Sequence, residues 1–139
     1  MTKMSVEAMS LVTVRQFIDT YNENVRKAYE QLVADEYEWC ENPTSLFPKG
    51  RSGGRREVLE VVSLSESALR DEAIEIVSSI ASGDTVALEG IWRATIAADM
   101  PLGRAGTKVE SHMAMFLRVK NGKIISSHEY ICTASVIPS

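Results

Sequence analysis

The sequence has few cysteines and no long apolar run. Its 139 residues include two cysteines, Cys40 and Cys132, which lack the close spacing of metal ligands. No apolar segment approaches the roughly 18 residues that span a membrane, and the first ten residues lack the apolar core of a signal peptide. We therefore expect a soluble, cytoplasmic protein that binds no membrane and keeps both thiols reduced and buried.

Other motifs that carry chemistry are also missing. The sequence has no glycine-rich phosphate loop, no serine nucleophile elbow and no His, Cys and carboxylate set at metal spacing. The formal net charge is −4, and the one basic cluster, Arg51 with Arg55 and Arg56, is short. We therefore expect no nucleic-acid partner, no metal and no cofactor.

The length and composition predict one domain over residues 1–139, with a core at about 13–133. Hydrophobic residues make up 45% of the chain and charged residues 24%, as in ordinary globular proteins. Apolar residues recur at helical spacing from Val14 to Leu32, where Thr13 is placed to cap the first turn, and again over Arg55–Leu69. Residues 37–42 resemble a short strand. The first half therefore predicts two helical segments with a strand between them.

The apolar pattern changes to a period of two in the second half. Ile74–Ala81 and Thr85–Ile96 predict one hairpin, and a second joins Val109–Val119 to Lys123–Cys132. The second hairpin turns at Asn121-Gly122, the strongest short-range hairpin signal. Helices followed by antiparallel strands predict an α+β domain in which helices pack on one face of a curved antiparallel sheet.

The carboxylate of Glu129 stands inside a strand-like run. Because burying an unpaired charge is costly, it must face water or belong to a site that uses it. Glu129 shares a strand face with Ser127, and apolar surroundings would raise its pKa toward neutrality, as general acid–base catalysis requires. The alternative is a solvated residue or a salt bridge with Arg93 or Arg118.

The position of His112 depends on the register of the last hairpin. If the turn has two residues, Ala114 pairs with Glu129, and His112 and Phe116 share the face of Glu129. If the turn is a three-residue loop with a bulge, Met113 pairs with Glu129 and His112 points away. The apolar alternation of the strand favours the second register without excluding the first.

Three short motifs and the order of the elements resemble the ketosteroid isomerase-like superfamily, also called nuclear transport factor 2-like. The motifs are Glu41-Asn42-Pro43, Arg51-Ser52-Gly53 and residues 119–124. The superfamily includes polyketide cyclases, limonene epoxide hydrolase and scytalone dehydratase. The resemblance implies a cone, or cystatin-like roll, in which a bent antiparallel sheet wraps round N-terminal helices and an apolar pocket opens at the wide end.

The resemblance carries only part of the known catalytic residues over to this chain. Asn42 falls where ketosteroid isomerase has its proton-shuttling Asp, and an amide cannot take up a proton at neutral pH. Phe17 falls where that enzyme has its oxyanion-hole Tyr. The second oxyanion acid would align near Ala114 or Met115. Ketosteroid isomerisation by that set of residues is therefore not expected.

The resemblance to limonene epoxide hydrolase is also partial. The Arg and Asp of its middle strand would fall at Gly90 and Trp92, so that triad is incomplete. Its final Asp has a counterpart in Glu129. The run His128-Glu129-Tyr130 is similar to the closing strand of many polyketide-cyclase-like members, in which an acidic residue faces the pocket.

These observations nominate candidate site residues. We expect Glu129 to move a proton, while Asn42, with Tyr21 or His112, holds a ligand oxygen. The predicted substrate-binding residues are Tyr21, Phe17, Cys40, Trp92, Met115, Phe116 and Ser127.

The predicted function is cofactor-free acid–base chemistry on an apolar small molecule. Cyclisation, isomerisation, dehydration and epoxide opening all fit, and the resemblance implies polyketide or other secondary metabolism. The alternative is a non-catalytic ligand-binding or dimerisation module, which the replaced family residues favour. Apolar residues on both faces of the last hairpin also predict a homodimer.

Overall fold

The computed structural model describes residues 4–138 as three helices and seven strands. The helices and strands, in chain order, are α1 (Val6–Glu23), α2 (Val25–Leu32), β1 (Val33–Glu41), β2 (Arg51–Gly54), α3 (Arg55–Ala68), β3 (Leu69–Ser82), β4 (Thr85–Ile96), β5 (Lys108–Lys120), β6 (Lys123–Ile131) and β7 (Ser135–Val136).

The first predicted helical segment is two helices. Helix α1 begins before Val14 because Ser5, and not Thr13, caps it: the Ser5 hydroxyl accepts a hydrogen bond from the Ala8 amide at 3.1 Å. The helix ends at Asn24, which is extended and caps α2 by accepting from the Lys27 amide at 3.1 Å. Helix α3 agrees with the prediction to within one residue.

The strands form one sheet in the order β2-β1-β6-β5-β4-β3, and β7 pairs with β5. The prediction of a wholly antiparallel sheet is wrong, because β1 runs parallel to β6. A parallel pair needs a long connection, which α3 and four strands provide here. The three helices pack against this mixed sheet, and the result is the expected α+β cone.

The turn of the last hairpin has two residues. Asn121 and Gly122 both have positive φ, at 51° and 74°, as a type I′ turn requires. Val119 consequently pairs with Ile124. This part of the hairpin follows the first of the two predicted registers.

A bulge then changes the register of that hairpin. Arg118 pairs with Ser126, so Ile125 is an extra residue on β6, and Met115 comes to lie opposite Glu129. Neither predicted register contains this pairing. Its effect on His112 is that of the second register, because His112 lies on the face opposite to Glu129.

The core lies between the helices and the inner face of the sheet. Its fully buried side chains include Ile18 of α1, Val33 of β1, Val86 of β4 and Leu117 of β5. The prediction of buried cysteines is wrong: both are exposed, and Cys40 points outward because its neighbour Trp39 takes the inner face of β1. None of the helices within residues 4–138 is long and apolar enough to cross a membrane.

Candidate active site

A cavity of about 500 Å³ lies between the helices and the inner face of the sheet. Its walls are largely aromatic and aliphatic, and they include the loop residues Phe47 and Leu102. A volume of this size suits a small organic ligand. The aromatic residues of the wall are Phe17, Tyr21, Tyr29, Trp39, Phe47 and Trp92.

Glu129 of β6 is the buried carboxyl of this cavity. Its exposed fraction is 7%, and the Ser127 hydroxyl donates a hydrogen bond to its Oε2 atom at 2.8 Å. No basic side chain within residues 4–138 forms a salt bridge with it. Removal from water is thus only partly compensated, and Glu129 keeps a second carboxyl oxygen available to the cavity.

Burial raises the pKa of Glu129 to about 8, and the negative charge of Glu41 adds to this rise. The Ser127 hydrogen bond, the charge of Arg51 and a weaker hydrogen-bond contribution from Trp39 act in the opposite direction. At neutral pH this carboxyl is therefore largely protonated. It can donate a proton or a hydrogen bond to a ligand oxygen.

Three ionisable residues form a row across neighbouring strands. Arg51 of β2 lies opposite Glu41 of β1, and Glu41 lies beside Glu129 of β6. The Arg51 guanidinium binds both oxygens of Glu41 through its Nη2 atom, at 3.0 Å each, and its Nε atom contacts Oε1 at 3.2 Å. Glu41 is therefore neutralised by a fixed partner, whereas Glu129 is not.

The loop between β1 and β2 brings Arg51 into this row. Gly50 has φ of 71°, and a Cβ atom there would collide with the Glu41 carbonyl oxygen, so the turn requires glycine. The guanidinium also lies over the Phe47 ring at 4.0 Å and near the Trp39 ring at 5.4 Å. These contacts hold Arg51 in place as part of the cavity wall.

The cavity contains a second carboxyl that the sequence analysis missed. Glu72 of β3 lines the cavity, and its Oε1 atom accepts hydrogen bonds from Trp92 Nε1 at 3.2 Å and Tyr21 Oη at 3.3 Å. Burial raises the pKa of Glu72, while both hydrogen bonds lower it. Burial, followed by the charge of Glu72, raises the pKa of Tyr21 well above its ordinary value.

A signal for Glu72 was present in the sequence. The alternation of β3 places Ile74 on the buried face, and two residues earlier the same face carries Glu72. A bulge lies between Arg70 and Ala73, and within it Asp71 has φ of 55°. A carboxylate on the inner face beside a bulge is a pattern found next to active sites.

Most of the predicted substrate-binding residues lie at the cavity. Phe17, Tyr21, Trp92 and Met115 line it together with Glu129. Ser127 is fully buried, and it reaches the site through its hydrogen bond to Glu129. The structure therefore brings together residues from α1, β4, β5 and β6.

Three predicted residues lie on the outer face of the sheet, and the expectation that they help to form the site is wrong. His112 and Cys40 are exposed, and Phe116 is 46% exposed and packs edge-on against Tyr130. The bulge at Ile125 sets the faces of His112 and Phe116, and strand alternation sets that of Cys40.

Asn42 lies beside the site without lining the cavity. Its Oδ1 atom accepts from the Ile131 amide at 2.6 Å, and its Nδ2 atom donates to the Ile131 carbonyl at 3.1 Å. Its own amide donates to the Glu129 carbonyl. Asn42 thus extends the parallel pairing of β1 and β6, and its side-chain amide is occupied by backbone groups where we expected a ligand oxygen.

The cone and its apolar cavity define a nuclear transport factor 2-like protein of the ketosteroid isomerase-like superfamily. The family model described as the SnoaL-like domain matches residues 14–127, so the chain belongs to the SnoaL-like domain family. No curated protein sequence matches the chain.

Solved structures share this fold. IdmH from Streptomyces antibioticus, a proposed polyketide cyclase, is 19% identical, with a TM-score of 0.73 over 88% of this chain and 91% of its own. AclR from Streptomyces galilaeus, a proposed hydroxylase, is 17% identical, with a TM-score of 0.73 over 90% and 79%. An epoxide hydrolase of the limonene-epoxide-hydrolase-like type from M. tuberculosis is 15% identical, with a TM-score of 0.68 over 91% and 85%. These identities establish a common fold.

Proposed function

We propose that this protein is a small enzyme that performs acid–base chemistry on an apolar metabolite, with Glu129 as the proton donor. One observation carries the proposal: a carboxyl with a pKa of about 8 lies in an apolar cavity, and no basic side chain among residues 4–138 forms a salt bridge with it. A group whose pKa lies near the working pH is suited to give a proton and to recover it.

The geometry supports proton donation to a ligand oxygen. The Ser127 hydroxyl donates to Oε2 of Glu129, so we assign proton donation to Oε1, with a ligand carbonyl, hydroxyl or epoxide oxygen as the acceptor. The aromatic walls exclude water and thereby strengthen the interaction. Cyclisation, isomerisation, dehydration and epoxide opening each contain such a step, and none of these steps requires a cofactor.

The structural neighbours are consistent with this class of chemistry. They include a proposed polyketide cyclase, a proposed hydroxylase and an epoxide hydrolase. Their shared fold supports an apolar organic substrate here, with polyketide or other secondary metabolism as the proposed setting. The Glu129 carboxyl, and not the fold, carries the catalytic part of the proposal.

A non-catalytic ligand-binding module is the second candidate. It is favoured by Phe17, which has no hydroxyl where ketosteroid isomerase has its oxyanion-hole Tyr, and by Asn42, whose amide is occupied by backbone groups. The buried carboxyl opposes it, because a purely apolar binding site gains nothing from a desolvated acid.

A homodimer through the outer face of the sheet is also part of the proposal. Phe116 and Tyr130 are 46% and 55% exposed on that face, with ring centroids 6.0 Å apart. Burying these rings against a second copy would remove an apolar patch from water. A monomeric mass at micromolar concentration would contradict the dimer.

Deuterium exchange of a cyclic ketone tests the catalytic proposal directly. When Glu129 protonates the carbonyl oxygen of α-tetralone, a D₂O molecule or a buffer base can remove a hydrogen from the neighbouring carbon and form the enol. Return of the enol to the ketone adds deuterium to that carbon and gives the oxygen-bound proton back to Glu129, so the enzyme should exchange the hydrogens beside the carbonyl, as followed by proton NMR. We expect Glu129→Gln to lower this rate by about a hundredfold. Glu89→Gln, which changes an exposed carboxylate of β4, is the control and should leave the rate unchanged.

The pH dependence adds a second criterion. The exchange rate should fall as the pH rises through about 8, because Glu129 then loses the proton that it donates. Equal rates for the wild type and Glu129→Gln would show that Glu129 is not the donor. A ketone that binds in the cavity and exchanges no faster than in buffer would favour the binding module.

A further inference from the structure

The mechanism proposed for Glu129 does not use the second carboxyl of the cavity. Glu72 is half-buried on β3, and no basic side chain within residues 4–138 forms a salt bridge with it. A desolvated carboxyl that packs against an apolar cavity is costly unless it binds something. Glu72 therefore calls for an explanation of its own.

The two hydrogen bonds to Glu72 leave one oxygen free. Trp92 and Tyr21 both donate to Oε1, at 3.2 and 3.3 Å. Among residues 4–138, no donor contacts Oε2. Two donors on one oxygen stabilise the carboxylate form and fix the orientation of the group, so Oε2 is a preoriented hydrogen-bond acceptor.

The backbone at this point is shaped to present Glu72. Asp71 adopts a left-handed conformation with φ of 55° inside the bulge of β3. Such a conformation is uncommon for residues other than glycine and costs about 1 kcal/mol or more. The bulge places Glu72 on the inner face, where it lines the cavity.

Glu72 and Glu129 lie in different parts of the cavity. Strands β3 and β6 are separated by β4 and β5, which corresponds to roughly 14 Å along the sheet. Tyr21 lies within electrostatic range of both carboxyls, since the charge of each raises its pKa. One elongated ligand with two polar ends can therefore reach both groups.

We propose that Glu72 is a second ligand-binding residue, whose Oε2 atom accepts a hydrogen bond from a hydroxyl or N–H group at the end of the ligand remote from Glu129. This inference rests on the proposed function in using the same cavity, and it concerns recognition, with no bond made or broken. Glu129 donates to one end of the ligand and Glu72 accepts from the other. The pair thus selects the polarity and the orientation of the ligand.

A pair of naphthalenes tests this polarity. The hydroxy probe, 6-hydroxy-2-acetonaphthone, carries a donor at one end and a carbonyl at the other, and the methoxy probe has its hydroxyl methylated. We expect the wild type to bind the hydroxy probe about tenfold more tightly than the methoxy probe, as measured by NMR titration at neutral pH, because the hydrogen bond to Glu72 Oε2 is lost in the latter.

The variant Glu72→Gln replaces one hydrogen-bond acceptor of the side chain with a donor. Its Oε1 atom still accepts from Trp92 and Tyr21, while an amide NH₂ replaces Oε2 and turns an acceptor into a donor. The preference for the hydroxy probe should disappear or reverse. Asp71→Asn is the matched control, because it removes one exposed carboxylate next to Glu72 and should keep the wild-type ratio.

The outcomes separate this inference from the proposed function. Two results would overturn the inference about Glu72. One is a Glu72→Gln variant that still prefers the hydroxy probe. The other is a wild type that binds both probes equally well or binds neither. Should Glu72→Gln fail to fold, nuclear Overhauser contacts in the wild type decide: the ring protons beside the hydroxyl must contact the Trp92 indole. Glu129→Gln should lose ketone exchange and keep the preference for the hydroxy probe.

Discussion

Glu41 and Glu129 are the same residue type in almost the same place, and the structure treats them in opposite ways. They lie side by side on β1 and β6, with exposed fractions of 9% and 7%. Glu41 has both oxygens bound by Arg51. Glu129 accepts a hydrogen bond from Ser127 and forms no salt bridge within residues 4–138.

This difference shows what distinguishes a structural carboxylate from a chemical one. A bidentate guanidinium offsets the cost of removing Glu41 from water and keeps it charged. Without that partner, the cheaper response of Glu129 is to keep its proton, and its pKa rises to about 8. Burial is common to both residues, so the partner, and not the depth, decides the chemistry.

The largest effect is expected from Glu129→Gln, which removes the ionisable group of Glu129 and changes how the free energy of unfolding depends on pH. The pKa of Glu129 is higher in the folded state than in the unfolded chain, so its contribution to the free energy of unfolding is complete below about pH 4 and is lost as the pH rises through about 8. Glu129→Gln removes that loss. Relative to wild type, the variant should gain about 5 kcal/mol between pH 4 and pH 9.

Urea unfolding of both proteins at a series of pH values measures this gain. Glu89→Gln is the control, since Glu89 is exposed on β4, and it should follow the wild-type curve. If the free energies of unfolding of Glu129→Gln and wild type change with pH in parallel, Glu129 titrates as an ordinary carboxylate.

The next largest effect is expected when the salt bridge between Arg51 and Glu41 is removed. Arg51→Met leaves the Glu41 carboxylate buried without a cation and should lower the free energy of unfolding by about 3 kcal/mol at pH 7. Arg93→Met, whose salt bridges to Glu75 and Glu110 are more exposed, is the control and should cost less than about 1 kcal/mol.

The same variant sharpens the comparison at Glu129. Because the positive charge of Arg51 lowers the pKa of Glu129, its removal should raise that pKa further. Equal losses of stability in Arg51→Met and Arg93→Met would mean that the Arg51 pair is no stronger than a surface salt bridge.

The smallest effect concerns the hydrogen bond between Ser127 and Glu129. Ser127→Ala removes the donor to Oε2, which stabilises the ionised form, and should raise the pKa of Glu129 by about one unit. The control is Ser126→Ala on the neighbouring, opposite-facing position of β6, which should leave this pKa unchanged. A pKa that is lower in Ser127→Ala would contradict the assignment of this hydrogen bond.

Much of the fold follows from local sequence signals. Asn121-Gly122 predicted the final turn and left its length open between two and three residues, and alternating residues predicted the hairpin of β3 and β4. Strand pairings between segments distant in sequence could not be predicted, because no local sequence pattern indicates that β1 runs parallel to β6. Helix α1 was placed late because two residues, Ser5 and Thr13, can each cap a helix, and packing decides between them.

The candidate site was predictable in part for the same reason. Glu129, Phe17, Tyr21, Trp92 and Met115 were found because strand and helix periods assign their faces. A single bulge residue decides the face of His112, and no local pattern fixes its position. Arg51 and Glu72 were missed because their importance arises from partners on other strands and helices.

The most direct test of this account is the pKa of Glu129 itself. Carbon-detected NMR titration of the glutamate carboxyls, with Glu129 assigned by comparison with Glu129→Gln, measures it in the folded protein without a substrate. We expect one carboxyl to titrate with an apparent pKa of about 8 and its signal to be missing from the variant. A Glu129 pKa near the ordinary value of about 4.3 would show a charged, compensated residue and would contradict its assignment as the proton donor.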